Sequence, residues 1–141
     1  MRVIYTAGVW DLLHTGHIRF LQASRALGDR LIVGVVSDDG AAAYKRRPII
    51  SEHDRFAMIN ALSCVDIAVR QPGTDPTPVL DMLVGDMGIP IVAMTHGDDW
   101  SELREGNKTL ERYGIRLVLL PYGSGKGTTG IIHEIRTREG V

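Results

Sequence analysis

Runs of apolar residues alternate along this chain with segments of helical periodicity. "RVIYT" at 2–6 is a short β-branched and aromatic run, and "LIVGVV" at 31–36 is apolar throughout, as a parallel strand covered on both faces should be. Between them, Ile18 and Leu21 with the apolar stem of Arg25 follow a helical spacing over 18–27 that stops at Gly28. Ser51 with Asp54 three residues on resembles a capping box, and Phe56, Ile59 and Leu62 mark the buried face of the helix behind it. Further on, the pattern predicts a strand at 66–70, a helix near 77–86, a strand at 91–94, a short helix around 107–113, a strand at 116–120 and a helix at 129–138. The proline-rich "QPGTDPTP" at 71–78 reads as a loop leading to a helix start.

Strands and helices in strict alternation predict an α/β fold: one domain over 1–141, a Rossmann-like parallel sheet of about five strands flanked by helices. In such sheets ligands sit beyond the carboxyl ends of the strands, where the strand order reverses. The segments that matter are then 7–17, 37–50, 95–106 and 121–129. All are strand-to-helix connections, and all carry polar or anion-binding residues. His14 and His17 flank Gly16 at the start of the first helix, where free N–H groups and the helix dipole favour phosphate. Lys45, Arg46 and Arg47 concentrate positive charge, and "GSGKGTT" at 123–129 forms a hydroxyl-bearing turn into the last helix.

The composition narrows the partners. Sixteen Lys and Arg against seventeen Asp and Glu leave a net charge of −1, so no global field recruits nucleic acid or a membrane surface, and an anion must be held by a local site. The lone Cys64 forms no intrachain disulfide, and the N-terminal stretch reads as neither a secretion signal nor a membrane span, so a cytoplasmic protein is expected. A zinc site has poor support, because Cys64 is remote from the histidines and only Asp11 is near them. "GKGTTG" at 125–130 matches a dinucleotide-binding glycine pattern, but the chain ends before the strand and acidic residue such a site needs. A P-loop fails too: Gly127 interrupts the Gly-Lys-Ser/Thr order, and no glycine lies five positions before Gly125.

"GVWDLLHTGHIRFLQASRALGDRLIVGVVSDD" at 8–39 closely resembles the opening of the cytidylyltransferase-like nucleotidyltransferases, whose H-x-G-H signature is His14 to His17 here. Arg55 with Val65-Asp66, "HGDDW" at 96–100 and "GTTGII" at 127–132 extend the likeness over nearly the whole chain, and "HGDDW" is similar to glycerol-3-phosphate cytidylyltransferases. The resemblance implies transfer of CMP from CTP to a small phosphorylated alcohol such as glycerol 3-phosphate, with release of pyrophosphate, Mg2+ as cofactor and a homodimeric assembly. It implies His14, His17 and Lys45 as catalytic, with Lys45 also meeting the acceptor, joined there by Arg55 and Trp100. It implies a nucleotide site of Val9, Trp10, Asp11, Arg46, Asp98, Tyr122, Gly125, Gly127, Thr128 and Thr129. Asp11 is expected to orient a histidine or reach the metal, whose ligands are not assigned. The family often has Arg at Tyr122 and Ser at Gly127, and one of its basic positions aligns with either Lys45 or Arg46. "EGNKTLERYGIRLVLLPY" at 105–122 also looks like sugar-phosphate adenylyltransferases of the same superfamily, so ATP with a sugar phosphate or a flavin mononucleotide is the alternative, and a nonenzymatic nucleotide-binding protein the third reading.

Overall fold

A computed structural model describes residues 1–98, 105–121 and 127–138. Five strands form one sheet in the order β3-β2-β1-β4-β5: β1 (Val3–Gly8), β2 (Arg30–Val36), β3 (Ile67–Gln71), β4 (Ile91–Gly97) and β5 (Arg116–Leu120). Every pairing is parallel, for example Tyr5 beside Ile32 and Met94. The helices are α1 (Thr15–Arg25), α2 (Asp38–Ala42), α3 (Glu52–Asn60), α4 (Thr77–Leu80), α5 (Asn107–Tyr113) and α6 (Thr128–Arg138). This is the expected Rossmann-like architecture, with the reversal of strand order falling between β1 and β4.

The apolar run of β2 is explained by its place inside the sheet: from Leu31 to Val36 every residue is buried. One apolar layer joins Val3, Tyr5, Ile32 and Met94 to Val79, Leu80 and Leu110 on one face of the sheet. The other joins Ile4, Leu31, Val33 and Val35 to Phe20 and Leu21 of α1 and Ile59 of α3. Alternate side chains of each central strand therefore feed opposite layers.

Four elements differ from the sequence pattern. The first helix starts at Thr15, three residues ahead of the apolar periodicity, because His14 caps it. The helix expected near 77–86 is a short α-helix that passes into a π-helical turn over Asp81–Asp86. The connection at 37–50 contains α2, capped by Ser37, whose hydroxyl accepts from the Gly40 N–H at 2.9 Å. β4 also runs on past Met94 to Gly97, which carries His96 to the carboxyl edge of the sheet. Among the described residues no helix is long and apolar enough to cross a membrane.

Candidate active site

The connection after β1 is built around Trp10. Its backbone is left-handed (φ 57°), as is that of Leu12 (φ 50°), a conformation costly for residues with a Cβ. The indole is 5% exposed and donates through Nε1 to the Gly34 carbonyl at 3.0 Å. Gly8 makes this possible, since a Cβ there would lie 2.8 Å from the Trp10 ring. The turn drives Asp11 inward to 3% exposure, where its carboxylate accepts from the Ile49 and Ile50 N–H groups, each at 2.9 Å, and from Arg46 at 2.9 Å. Burial pushes the Asp11 pKa up, but these bonds and the Arg46 charge outweigh it and hold the carboxyl below its ordinary range. Asp11 thus ties the β1 connection to the segment after α2.

Two histidines begin α1 as a reciprocal cap. His14 Nδ1 accepts from the Gly16 N–H at 3.1 Å, and His17 Nδ1 accepts from the His14 N–H at 3.3 Å. A nitrogen that accepts carries no proton, so the hydrogen-bond geometry assigns the neutral Nε2–H tautomer to both rings. The rings stack with centroids 3.8 Å apart, an arrangement that disfavours charge on both. Burial first, and then the neighbouring His14, push the His17 pKa down to about 4, against a smaller opposing pull from Asp11. Burial lowers His14 as well. At neutral pH the pair is two uncharged N–H donors at a helix N-terminus. His17 also meets the Trp10 ring edge-on at 5.5 Å.

At the β1/β4 reversal a cavity of about 340 Å³ opens, walled by Val9, Trp10, Asp11 and His17 from the first connection, Lys45 and Arg46 from the second, and Thr128 and Thr129 from the start of α6. The Thr128 hydroxyl donates to the Asp11 carbonyl at 2.7 Å, which fixes α6 to the β1 connection. Of the three consecutive basic residues, Arg46 pairs with Asp11 at 2.9 Å and Arg47 with Asp39 at 3.4 Å. The Lys45 ammonium has no hydrogen bond or ion pair to a described residue and faces the cavity.

The structure therefore brings eight of the expected residues to one cavity, with His14 stacked behind His17. Gly127 is exposed and its carbonyl accepts from the Ile131 N–H in the first turn of α6. Asp98 is exposed at the end of β4, its N–H bonded to the Leu120 carbonyl, and does not wall the cavity. Trp100, Tyr122 and Gly125, with Asp99, lie outside the described residues.

Arg55, expected to meet the acceptor, is placed elsewhere. It is 1% exposed and donates to the carbonyls of Ile50 (2.8 Å), Val9 (2.7 Å) and Val36 (2.8 Å) and to the Asp38 carboxylate (2.7 Å). A guanidinium so engaged, behind the β1 connection, is a strut between three segments and has no face turned to a ligand. Five cavity residues are not among the expected site residues: Ala7 and Gly8 at the end of β1, and Ala41, Tyr44 and His96. Alanine and tyrosine carry no signature of phosphate chemistry, and His96 sits in a strand whose length the apolar pattern understated.

A parallel α/β sheet whose reversal point opens a cavity walled by a neutral imidazole with a second stacked on it, an unpaired lysine and a hydroxyl-bearing helix start is an architecture suited to a nucleotide-binding enzyme. The family profile described as cytidylyltransferase-like matches residues 5–122, and the chain belongs to that family of nucleotidyltransferases. It is similar to the bifunctional protein HldE of Geotalea uraniireducens (strain Rf4), 38% identical over 138 residues and 96% of the chain, and to that of Trichlorobacter lovleyi, 37% identical over 139 residues and 97% of the chain. The chain spans 27% of the length of each of these relatives. Among solved structures it resembles a lipopolysaccharide core biosynthesis protein from Thermoplasma volcanium GSS1 (TM-score 0.63, 29% identity, 89% of this chain and 98% of that one). A protein of unknown function from Archaeoglobus fulgidus shares the fold (TM-score 0.65, 18% identity, 90% of this chain and 96% of that one).

Proposed function

We propose that the protein is an adenylyltransferase that joins AMP from ATP to a sugar phosphate and releases pyrophosphate. The observation that carries the reaction type is the neutral histidine pair at the start of α1, His17 walling the cavity with His14 stacked against it, beside an unpaired lysine. An oxygen of the acceptor phosphate attacks the α-phosphorus in line; the new P–O bond forms as the bond to the β-phosphate oxygen breaks, and the electron pair leaves with pyrophosphate. No covalent enzyme intermediate is needed, so catalysis consists of positioning and stabilisation of charge on the phosphoryl oxygens. The Nε2–H groups of His14 and His17 donate to nonbridging oxygens of the α-phosphate. Lys45 neutralises the acceptor phosphate, and Thr128, Thr129 and the N–H groups opening α6 hold the β- and γ-phosphates.

Nucleotide choice moves from CTP with a glycerol 3-phosphate-like alcohol to ATP with a sugar phosphate. The support is the set of relatives: proteins named HldE and a lipopolysaccharide core biosynthesis protein, a setting in which sugars are activated as nucleotide conjugates. Among the described residues the oxygens of Asp11 accept from Arg46, Ile49 and Ile50, and no group of three potential metal ligands comes together. We therefore place Mg2+ on the phosphates of the incoming nucleotide, as part of the substrate. A homodimer belongs to this proposal as well.

The test is pyrophosphate release from ATP and from CTP with aldose 1-phosphates and with glycerol 3-phosphate. Release from ATP with an aldose 1-phosphate supports the reading. Release from CTP with glycerol 3-phosphate alone overturns the nucleotide and acceptor assignment, and tight nucleotide binding without turnover overturns the enzyme reading.

A further inference from the structure

The cavity crosses the end of β1 from the β4 side to the β2 side, and its two ends differ in chemistry. On the β4 side stands His96, Ala7 and Gly8 of β1 lie between, and on the β2 side stand Ala41, Tyr44 and Lys45, contributed by α2 and the residues after it. An attacking phosphate must be brought to the α-phosphorus by a cation that is not already neutralised. Among the described residues that wall the cavity Lys45 is that cation, since Arg46, like its neighbour Arg47, is paired with an aspartate. The acceptor therefore belongs on the β2 side.

What surrounds Lys45 there is a small apolar wall and one large ring. "GAAA" at 40–43, the end of α2 and its cap, carries no side chain beyond a methyl group, and Ala41, 1% exposed, walls the cavity there. Tyr44 is 58% exposed although it is aromatic, and it walls the cavity next to Lys45. A ring left in solvent beside a charged group presents a flat carbon surface with a polar tip. An open-chain polyol phosphate has no face to lay on it, whereas a sugar ring turns a sheet of C–H bonds toward one side and its hydroxyls outward. Ala41 leaves the depth that such a ring needs.

We propose that Tyr44 is the specificity-determining residue of the acceptor subsite, its ring packing on the face of a phosphorylated sugar ring whose phosphate is held by Lys45. This rests on the sugar-phosphate reading above and adds to it the residue that tells a ring from an open chain.

The test uses protein with 13C-labelled tyrosine rings, the Tyr44 signals being identified by their loss in Tyr44→Phe. The probes are α-D-glucose, β-D-glucose and α-D-mannose 1-phosphate, glycerol 3-phosphate and inorganic phosphate, each with a non-hydrolysable ATP analogue present. The expected result is that the Tyr44 ring signals move with at least one aldose 1-phosphate and stay still with glycerol 3-phosphate and inorganic phosphate. No movement with any of the three aldose phosphates, or equal movement with glycerol 3-phosphate, overturns the proposal. In steady-state kinetics Tyr44→Ala raises the acceptor KM about tenfold and leaves the ATP KM unchanged, while Tyr44→Phe, which keeps the ring, stays near wild type. Turnover of a sugar phosphate that is indifferent to Tyr44→Ala leaves the adenylyltransferase reading standing and removes this one. Movement of the Tyr44 signals without any nucleotide-sugar product does the reverse.

Discussion

Replacing Arg55 by methionine separates a structural from a ligand-binding arginine. The side chain holds four acceptors at 2.7–2.8 Å: three main-chain carbonyls from separate segments and the carboxylate of Asp38. Methionine fills a similar volume and leaves all four without a donor. Breaking a buried ion pair by removing one partner costs about 3–5 kcal/mol, and each unsatisfied buried carbonyl adds roughly 1–3 kcal/mol unless water reaches it. The Asp38 side chain is 18% exposed, so water relieves part of this, and a loss of about 4 kcal/mol is the expected net. Against a typical total of about 5–15 kcal/mol that is a large fraction. With a urea slope of about 2 kcal/mol per molar, the unfolding midpoint falls by about 2 M. Arg55→Lys rescues little, because one ammonium cannot span four acceptors in a planar fork. The exposed Arg47, changed to methionine, leaves the midpoint near wild type. A fall of less than about 0.5 M in the Arg55→Met midpoint, with a selective rise in the acceptor KM, would refute the strut and return Arg55 to the acceptor site.

His14→Ala and His17→Ala should each lower kcat by about 10²–10³ while nucleotide affinity changes little, and should also cost stability through the lost cap; His14→Asn, which can still accept from the Gly16 N–H, should restore the melting temperature without restoring turnover. Lys45→Ala should raise the acceptor KM and lower kcat, with Arg47→Ala nearly silent, and steady-state assays in which Arg47→Ala is the more damaging would move the phosphate contact along the chain. Stability should fall as pH drops from about 6.5 toward 4: the folded His17 titrates near 4, below its ordinary 6.5, so the unfolded chain binds the proton first. Urea midpoints that are equal at pH 7.5 and pH 5 would contradict the buried neutral imidazole.

The sheet was legible because each strand is an apolar run with a helix or turn signal on either side, and the strands at 116–120 and the helix at 107–113 fall where the pattern puts them. The gathering of several expected residues at one cavity was legible for a related reason. His17, Lys45, Arg46, Thr128 and Thr129 are polar residues in the segments that follow the strands, and parallel topology gathers such segments at one edge, with His14 stacked on His17. Arg55 was misplaced because a basic residue at a helix start looks the same in sequence whether it faces a ligand or folds inward onto carbonyls 5, 19 and 46 residues away. Tyr44 and Ala41 were invisible because their contribution is shape, and shape appears only once α2 is seen to line the cavity. Asp11 shows the same limit: its carboxylate suits a metal in sequence, yet backbone N–H groups from residues 38 and 39 positions away occupy it.

In the proposed reaction two neutral imidazoles, each with its proton on Nε2, present paired donors to the phosphoryl group being transferred. Long-range 15N–1H spectra of the histidine side chains, recorded from pH 8 to pH 5 with and without ATP, read the tautomer and charge of each ring directly. The expected spectra show the Nε2–H pattern for His14 and His17 at neutral pH, a His17 still neutral at pH 5, and Nε2–H signals of both that move when ATP binds. An Nδ1–H tautomer, a His17 already protonated at pH 6, or Nε2–H signals indifferent to ATP would contradict that role.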